Sequence, residues 1–191
     1  MIEMTVEVQM NKQKTKNLAF MSLFIAIEIL MVMVPFLGFI PIGPLRATTL
    51  DIPVIISGIF LGKNKGAQVG LVFGLSSLFI NTIQPTITSF VFSPFISGSF
   101  WSLVIAIIPR VCIGYVAGMI YEKWKKHPIL AMSLGSFLGA MTNTILVLGG
   151  IYLFFGNQYA SALGMTFSKL IHYLLTNIAT TGLLEAIVGT I

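Results

Sequence analysis

The chain has 191 residues, of which 56% are hydrophobic and only 9% charged, and its mean hydropathy is +0.95. This composition leaves too little polar surface to cover a soluble globule, so it excludes a soluble domain and indicates a protein whose solvent is the lipid bilayer. The net charge of +5 does not indicate a nucleic-acid partner, because basic side chains at membrane edges are explained by anionic lipid headgroups and by insertion rules.

Eight of the eleven Lys and Arg residues fall into three short clusters separated by apolar segments. By the positive-inside rule, each cluster marks a cytoplasmic face of the membrane. The chain is therefore expected to cross the bilayer an even number of times between one cluster and the next. The clusters are Lys12, Lys14 and Lys16; Lys63 and Lys65; and Lys123, Lys125 and Lys126.

The first predicted span, 17–37, starts after the first basic cluster and ends at a Pro and a Gly. Residues 38–50 are rich in Gly and Pro and predict an irregular external loop. The second segment, 51–62, gives roughly 18 Å of helix against a hydrocarbon core of about 30 Å. A segment this short is typical of backbone that lines a cavity, so we expect 38–53 to form a lid over a ligand.

The third span, 66–84, leads to an external connection at 85–94 that is too apolar to be simply solvated. Three further spans follow at 95–121, about 128–155 and 166–190. The expected fold is therefore all-α and integral to the membrane. It is a single domain over 1–191 with six transmembrane helices and both termini cytoplasmic, 1–16 being a cytoplasmic N-terminal segment.

Small residues recur at four-residue spacing, which places them on one helix face and allows close approach of helix backbones in lipid. For most of these pairs the simplest interpretation is packing inside the bundle. The first span carries a comparable small face that we expect to dock on another membrane protein. The internal set is Gly58, Gly62, Gly66, Gly70, Gly74, Gly114, Gly118, Gly135 and Gly139, and the docking set is Ala19, Ser22 and Ala26.

Polar residues inside apolar spans must be paired, hydrated or functional, because a charge within the hydrocarbon costs at least about 2.5 kcal/mol. Two interpretations stay open. In one, these residues form interhelical hydrogen bonds and ion pairs, with Arg110 paired to Glu28 or Glu185. In the other, some of them face an outward-opening pocket. The residues concerned are Glu28, Asp51, Asn81, Arg110, Asn143, Asn177 and Glu185.

A pocket of this kind would combine a few polar groups with apolar and aromatic walls and would hold a small molecule. A lone histidine near the outer part of the sixth span, His172, is a further hydrogen-bond donor, although such residues more often serve the bundle itself. The polar candidates are Arg46, Thr49, Asn81, Gln84 and Asn143, and the aromatic ones are Phe90, Phe92 and Trp101.

Enzymatic motifs are weak in this sequence. No G-x-x-x-x-G-K-[ST] motif is present, and no His and carboxylate spacing indicates a metal, so we expect neither ATPase activity nor a cofactor. An intramembrane serine hydrolase built on Ser76 and His172 would lack an oxyanion hole and the glycine that follows the nucleophile. We therefore expect a protein that is not an enzyme, with the hydrolase as a remote alternative.

A series of short motifs in a fixed order gives the chain a family resemblance. They are Asp51-Ile52-Pro53 leading to Gly58, Leu61-Gly62 with Gly66-Ala67, a polar end at Asn81, the stretch 90–94, and Pro109-Arg110 before Gly114 and Gly118. Over essentially its whole length the chain resembles the substrate-binding S components of energy-coupling factor (ECF) vitamin transporters. The resemblance implies a multi-pass protein of a prokaryotic cell membrane that captures a vitamin outside. Its implied partners are membrane lipids, a transmembrane coupling (T) subunit and two cytoplasmic ATPase subunits.

The resemblance also implies a transport mechanism and a substrate type. The A-x-x-x-A docking face of the family appears here as Ser22-x-x-x-Ala26, and the loaded subunit would reorient as a whole within the membrane. The stretch 81–94 looks most like pantothenate-type or hydroxymethylpyrimidine-type members. Pantothenate is favoured, because Arg46 or Arg110 would pair with its carboxylate while Asn81, Gln84 and Asn143 meet its hydroxyls and amide.

Three alternatives stay open. A riboflavin-type S component would require more aromatic stacking than these candidates offer. A stand-alone proton-coupled carrier would use Glu28, Glu185 and Arg110 as a relay. A purely structural subunit would use its glycine faces and bind nothing.

Overall fold

The structure is a computed structural model that describes the backbone of residues 2–34, 37–42 and 45–188. Within these ranges it describes the side chains of 12–34, 37–38, 48–180, 182–183 and 186–187. The side chains of Arg46 and Glu185, both named above, lie outside the described residues.

Eight α-helices and one β-hairpin make up the part of the chain that the structure describes. Two short elements complete it, a 3-10 turn at Ser89–Val91 and a π turn at Ile178–Gly182 that joins the last two helices. In chain order the elements are α1 (Ile2–Met33), β1 (Phe39–Ile42), β2 (Leu45–Thr48), α2 (Asp51–Leu61), α3 (Lys63–Ile83), α4 (Pro94–Ser97), α5 (Phe100–Lys123), α6 (Pro128–Ala162), α7 (Phe167–Asn177) and α8 (Leu183–Val188).

Four of the described helices are long and apolar enough to cross a membrane: α1 over Lys12–Met33, α3, α5 and α6. The helix α2 is apolar but has only 11 residues, in agreement with the short second segment in the sequence. The expectation of a helical integral membrane protein is thus confirmed. The count of six spans and the sides of the termini stay predictions.

Two boundaries differ from the sequence prediction. The first helix, Ile2–Met33, extends beyond the predicted span 17–37 at its start and ends before it, and the extension follows from the Glu, Gln, Met and Lys residues before Asn17, which are good helix formers. The irregular loop predicted at 38–50 was also wrong. Phe39–Ile42 and Leu45–Thr48 form an antiparallel hairpin in which Phe39 lies opposite Thr48, since apolar and β-branched residues favour extended backbone.

Helices α2, α3 and α5 are in backbone contact through glycines. A Cβ added at Gly58 would lie 2.3 Å from the carbonyl oxygen of Gly114, and one added at Gly114 would lie 2.2 Å from the carbonyl oxygen of Gly66. A Cβ at Gly70 would lie 2.2 Å from the carbonyl oxygen of Arg110. These distances leave no room for a side chain. The interpretation of the glycine spacing as internal packing is therefore confirmed at these positions.

An ion pair at one end of the bundle joins Lys63 of the second basic cluster to Glu122, the residue before the third cluster. The Nζ atom of Lys63 lies 3.2 Å from Oε2 of Glu122, and the backbone N–H of Lys63 donates to Oε1 of the same side chain at 3.4 Å. The turn between α2 and α3 and the end of α5 therefore share one face of the bundle. This arrangement agrees with the even number of crossings expected between the two clusters.

The buried apolar residues form two clusters that meet along α5. We call them the first and the second core cluster. The first includes Val54, Phe73 and Ile113, and the second includes Ile105 and Phe155. Because α5 contributes to both, the part of this helix between Ile105 and Ile113 lies at their boundary.

We expect Gly114→Ala to destabilise the fold, because the added methyl group would overlap the backbone of α3. Overpacking of this kind typically costs about 1–3 kcal/mol, measurable as a lower thermal midpoint in detergent. Gly149→Ala is the matched control, since a Cβ there meets nothing within 4 Å. Equal midpoints for the two variants would contradict the close contact of α3 and α5.

Candidate functional site

Among the described residues, five charged or amide side chains from five helices are almost completely buried. Helix α1 contributes Glu28, which is fully inaccessible, and the other four are 4–9% exposed. Buried groups of this kind need partners, so their contacts identify where a ligand can bind. The five are Glu28, Asp51, Asn81, Arg110 and Asn143.

Three of these residues form a group that we call the acid cluster: Glu28, Asp51 and Asn143. The side-chain amide of Asn143 donates to Oδ2 of Asp51 at 3.3 Å, which links α6 to the first turn of α2. Glu28 lies on the inner side of α1, where Ile25 and Met31 pack on the first core cluster. The carboxylate of Asp51 lies within electrostatic range of Glu28. The cluster therefore brings two acids together beside an amide.

Arg110 occupies the boundary between the two core clusters, and the reason lies in the preceding residue. Pro109 has no N–H, so it leaves the carbonyl oxygen of Ile105 without its helical hydrogen bond. Nη1 of Arg110 donates to that oxygen at 2.9 Å. The guanidinium carbon also lies 5.4 Å from the ring centre of Phe73 and 5.0 Å from that of Phe92. Cation–π contacts thus hold a buried charge on α5.

Asn81 belongs to a hydrogen-bond network that ties the connection after α3 to the end of that helix. Its Nδ2 donates to the carbonyl oxygen of Ser77 at 2.8 Å, and its Oδ1 accepts from the hydroxyl of Ser89 at the same distance. Nearby, the hydroxyls of Thr82 and Ser93 share a hydrogen bond of 2.8 Å. The apolar connection predicted at 85–94 is therefore fixed by buried polar contacts.

The remaining candidates lie at several places. Gln84 is exposed at the end of α3, and Trp101 is 46% exposed and stacks on Phe154 with 3.8 Å between ring centres. Phe90 packs edge-on against Phe155 in the second core cluster. Thr49 donates its backbone N–H to the carbonyl oxygen of Gly38 at 3.2 Å and its hydroxyl to that of Leu37, which closes the base of the hairpin.

The structure therefore brings together some of the predicted residues and not others. It places Arg110 against Phe92, and Asn143 beside an acid, whereas Gln84 and Trp101 lie away from these contacts. The predicted pair of Arg110 with Glu28 is not formed, because among the described residues neither oxygen of Glu28 has a hydrogen-bond partner.

Two hydrogen-bond partners of the predicted asparagines are not predicted from the sequence. Asp51 was recognised as polar but not as the partner of Asn143, and Ser89 was overlooked although it is fully buried. The spacing of Phe73, Ser77 and Asn81 at every fourth residue places them on one face of α3, but no such spacing indicates Ser89, which lies in the connection after that helix.

The small residues proposed for docking lie on the outside of α1. Ala19, Ser22 and Ala26 are all exposed, and the hydroxyl of Ser22 donates to the carbonyl oxygen of Leu18 at 3.0 Å. That bond satisfies the serine within its own helix. This face of α1 therefore consists of small side chains, offers no free hydroxyl donor from Ser22 and is accessible on the isolated chain.

Comparison with known proteins identifies the family. Residues 16–191 match the model of the ECF transporter substrate-specific component. The chain belongs to this family. The resemblance inferred from the motif order is thereby confirmed, and the chain is a membrane transport subunit, called an S component below.

Two relatives cover almost the whole S component. The "Pantothenic acid transporter PanT" of Lactococcus lactis subsp. cremoris is 40% identical over 189 residues, which are 95% of this chain and 92% of that protein. The "Pantothenate transporter PanT" of Leuconostoc mesenteroides subsp. mesenteroides is 31% identical over 194 residues, covering 95% of this chain and 90% of that protein.

We expect Ser89→Ala to destabilise the protein, because it leaves the buried Oδ1 of Asn81 without its donor and removes the acceptor for the backbone N–H of Thr86. An unsatisfied buried group costs about 1–3 kcal/mol. Thermal unfolding in detergent measures the effect, with the exposed Ser168→Ala as control. A midpoint no lower than that of the control would contradict the structural role of this network.

Proposed function

We propose that this S component binds pantothenate on the outside of the cell membrane and delivers it to the cytoplasm as part of an ECF importer. The observation that carries the proposal is the 40% identity, over 95% of the chain, to a protein named as a pantothenic acid transporter. Hydrolysis of ATP would be performed by two partner ATPases, coupled through a T subunit.

The buried cation supports an anionic substrate. Pantothenate has a carboxylate at one end, an amide in the middle and two hydroxyls at the other end. Arg110 is 93% buried, and a buried arginine binds a carboxylate with two parallel hydrogen bonds more strongly than an exposed one does. We propose Arg110 as the carboxylate ligand, with Arg46 on β2 as a second cation and Phe92 as part of the wall.

The amides support the rest of the substrate. Asn143 reaches the acid cluster with its Nδ2, and its Oδ1 is buried without a hydrogen-bond partner in the described part of the chain. Asn81 already uses both its amide nitrogen and its oxygen, so its second N–H is the group left for a ligand. We therefore place Asn143 closer to the substrate than Asn81, with Thr49, Gln84, Phe90 and Trp101 further from the bound molecule.

The arrangement of residues at the two ends of the helix bundle supports six membrane segments with both termini in the cytoplasm. The ion pair of Lys63 with Glu122 would lie on the cytoplasmic side, together with both termini. The hairpin strands within 39–48 would lie outside as the lid, and their base is closed by the hydrogen bonds of Thr49 to the carbonyl oxygens of Leu37 and Gly38. In this scheme α2 and the pair α7–α8 complete six membrane segments around a single domain.

Transport by reorientation requires a surface that moves through lipid at low cost. Of the charged side chains outside the basic clusters, Glu28, Asp51 and Arg110 are buried away from lipid. This matters because each charge moved through hydrocarbon adds several kcal/mol. The exposed face of Ala19, Ser22 and Ala26 would contact the T subunit, where small residues permit close helix approach. Substrate capture would thus be performed by this chain and ATP hydrolysis by its partners.

We expect Arg110→Gln to weaken pantothenate binding to the purified chain by about 1.5–3 kcal/mol, the contribution of a charged hydrogen bond. Calorimetry in detergent measures the loss. Panthenol, which has an alcohol in place of the carboxylate, is the control ligand, and its affinity should change little. Equal losses for the two ligands would argue that Arg110 only maintains the fold through the carbonyl oxygen of Ile105.

We expect Ser22→Leu and Ala26→Leu to block pantothenate uptake by cells while leaving binding to the purified chain unchanged, because the larger side chains separate this face from its partner. Thr176→Leu, at an exposed position of α7, is the matched control and should transport normally. Normal uptake by both α1 variants would exclude the docking face. Uphill uptake by the chain alone in vesicles would instead favour the proton-coupled carrier.

A further inference from the structure

The acid cluster is rich in unsatisfied hydrogen-bond acceptors. Both carboxylate oxygens of Glu28 and Oδ1 of Asn143 are buried and have no hydrogen-bond partner among the side chains and backbone that the structure describes. Glu28 is fully inaccessible and Asn143 is 95% buried, so bulk water does not satisfy them. Three acceptor atoms on α1 and α6 therefore require donors from elsewhere.

The orientation of Asn143 provides evidence that does not depend on Glu28. Its Nδ2 is already fixed on Oδ2 of Asp51, so the amide is oriented and its free oxygen lies at the cluster rather than in solvent. Because Glu28 and Asn143 come from helices far apart in sequence, their convergence on α2 is a feature of the folded bundle. The folded bundle therefore gathers hydrogen-bond acceptors that the described part of the chain leaves unsatisfied.

The chemistry of such a site selects one end of a ligand. A group with hydroxyl or amide N–H donors satisfies these acceptors, whereas a carboxylate has no donor to offer and is repelled by Asp51. Arg110 instead attracts a carboxylate, and it lies against Phe73 and Phe92 rather than in the acid cluster. A molecule with donors at one end and a carboxylate at the other therefore has a single favourable orientation.

We propose that Glu28, together with Asp51 and Asn143, binds the hydroxyl end of the substrate and that this contact determines specificity. The inference rests on the proposed function, since it assigns the two ends of pantothenate to separate groups of residues. Glu28 is then a specificity-determining residue that accepts hydrogen bonds from the substrate hydroxyls. It is neither an ion-pair partner of Arg110 nor a member of a proton relay.

The test compares two ligands and four forms of the full-length chain, purified in detergent, by calorimetry at constant pH. The ligands are pantothenate and its dideoxy analogue, in which both hydroxyls are replaced by hydrogen. The forms are the unmodified chain, Glu28→Met, Glu28→Gln and the control Glu122→Gln. Methionine keeps the volume and removes both acceptors, whereas glutamine keeps one acceptor, and Glu122 is a half-exposed acid at the far end of α5.

We expect Glu28→Met to weaken pantothenate binding on the order of 10- to 100-fold, as for the loss of buried hydrogen bonds, and Glu28→Gln to weaken it less. Binding of the dideoxy analogue should change less than about twofold, which would also show that the variants are folded. The unmodified chain should bind the analogue more weakly than pantothenate by a similar factor. Glu122→Gln should leave both affinities unchanged.

Several results would overturn the inference. One is pantothenate affinity retained in Glu28→Met, and another is an equal loss for both ligands, which would make Glu28 a structural residue. Equal affinity of the unmodified chain for pantothenate and the analogue would also overturn it, because the hydroxyls would then contribute nothing to binding. Pantothenate binding that requires sodium ions would make the cluster a cation site instead. If the unmodified chain binds neither ligand, the proposed function itself fails.

Discussion

Backbone contact between α2, α3 and α5 is the constraint on which the rest of this structure depends. In lipid, apolar side chains gain little by leaving their solvent, so helices associate through close packing and polar contacts. Gly58, Gly66 and Gly114 bring these backbones so close that no side chain fits between them. The contact also holds α2, which is too short to cross a membrane unaided, and it thereby places Asp51 at the start of α2 deep in the bundle.

A second constraint lies on α5, where a helix defect fixes the position of a buried cation. Pro109 removes one hydrogen bond from the helix, and the next residue satisfies the freed carbonyl with its own side chain. The guanidinium is thereby held at the boundary of the two core clusters, over the rings of Phe73 and Phe92. A buried charge is tolerated here because its position is fixed by hydrogen bonding and aromatic contacts.

The two constraints together give the bundle an electrostatic polarity. Acids and an amide lie where α1, α2 and α6 meet, whereas the buried cation lies on α5 toward the second core cluster. For a ligand with hydroxyls at one end and a carboxylate at the other, this separation distinguishes the two orientations. In the proposed scheme the outer face of α1 contacts no substrate, so that substrate capture and partner docking would use opposite sides of one helix.

The sequence by itself determined the membrane class, the basic ends, the glycine faces and the family, because hydropathy, charge clusters and four-residue spacing act locally along the chain. It also identified Arg110 and Asn143 as buried polar residues. It did not predict the hairpin at 39–48, the outward position of Trp101 or the partners of Glu28 and Arg110. Those were decided only by the tertiary structure, since the rotation of each helix about its axis, and hence the neighbour that a side chain meets, depends on all the helices packed against it.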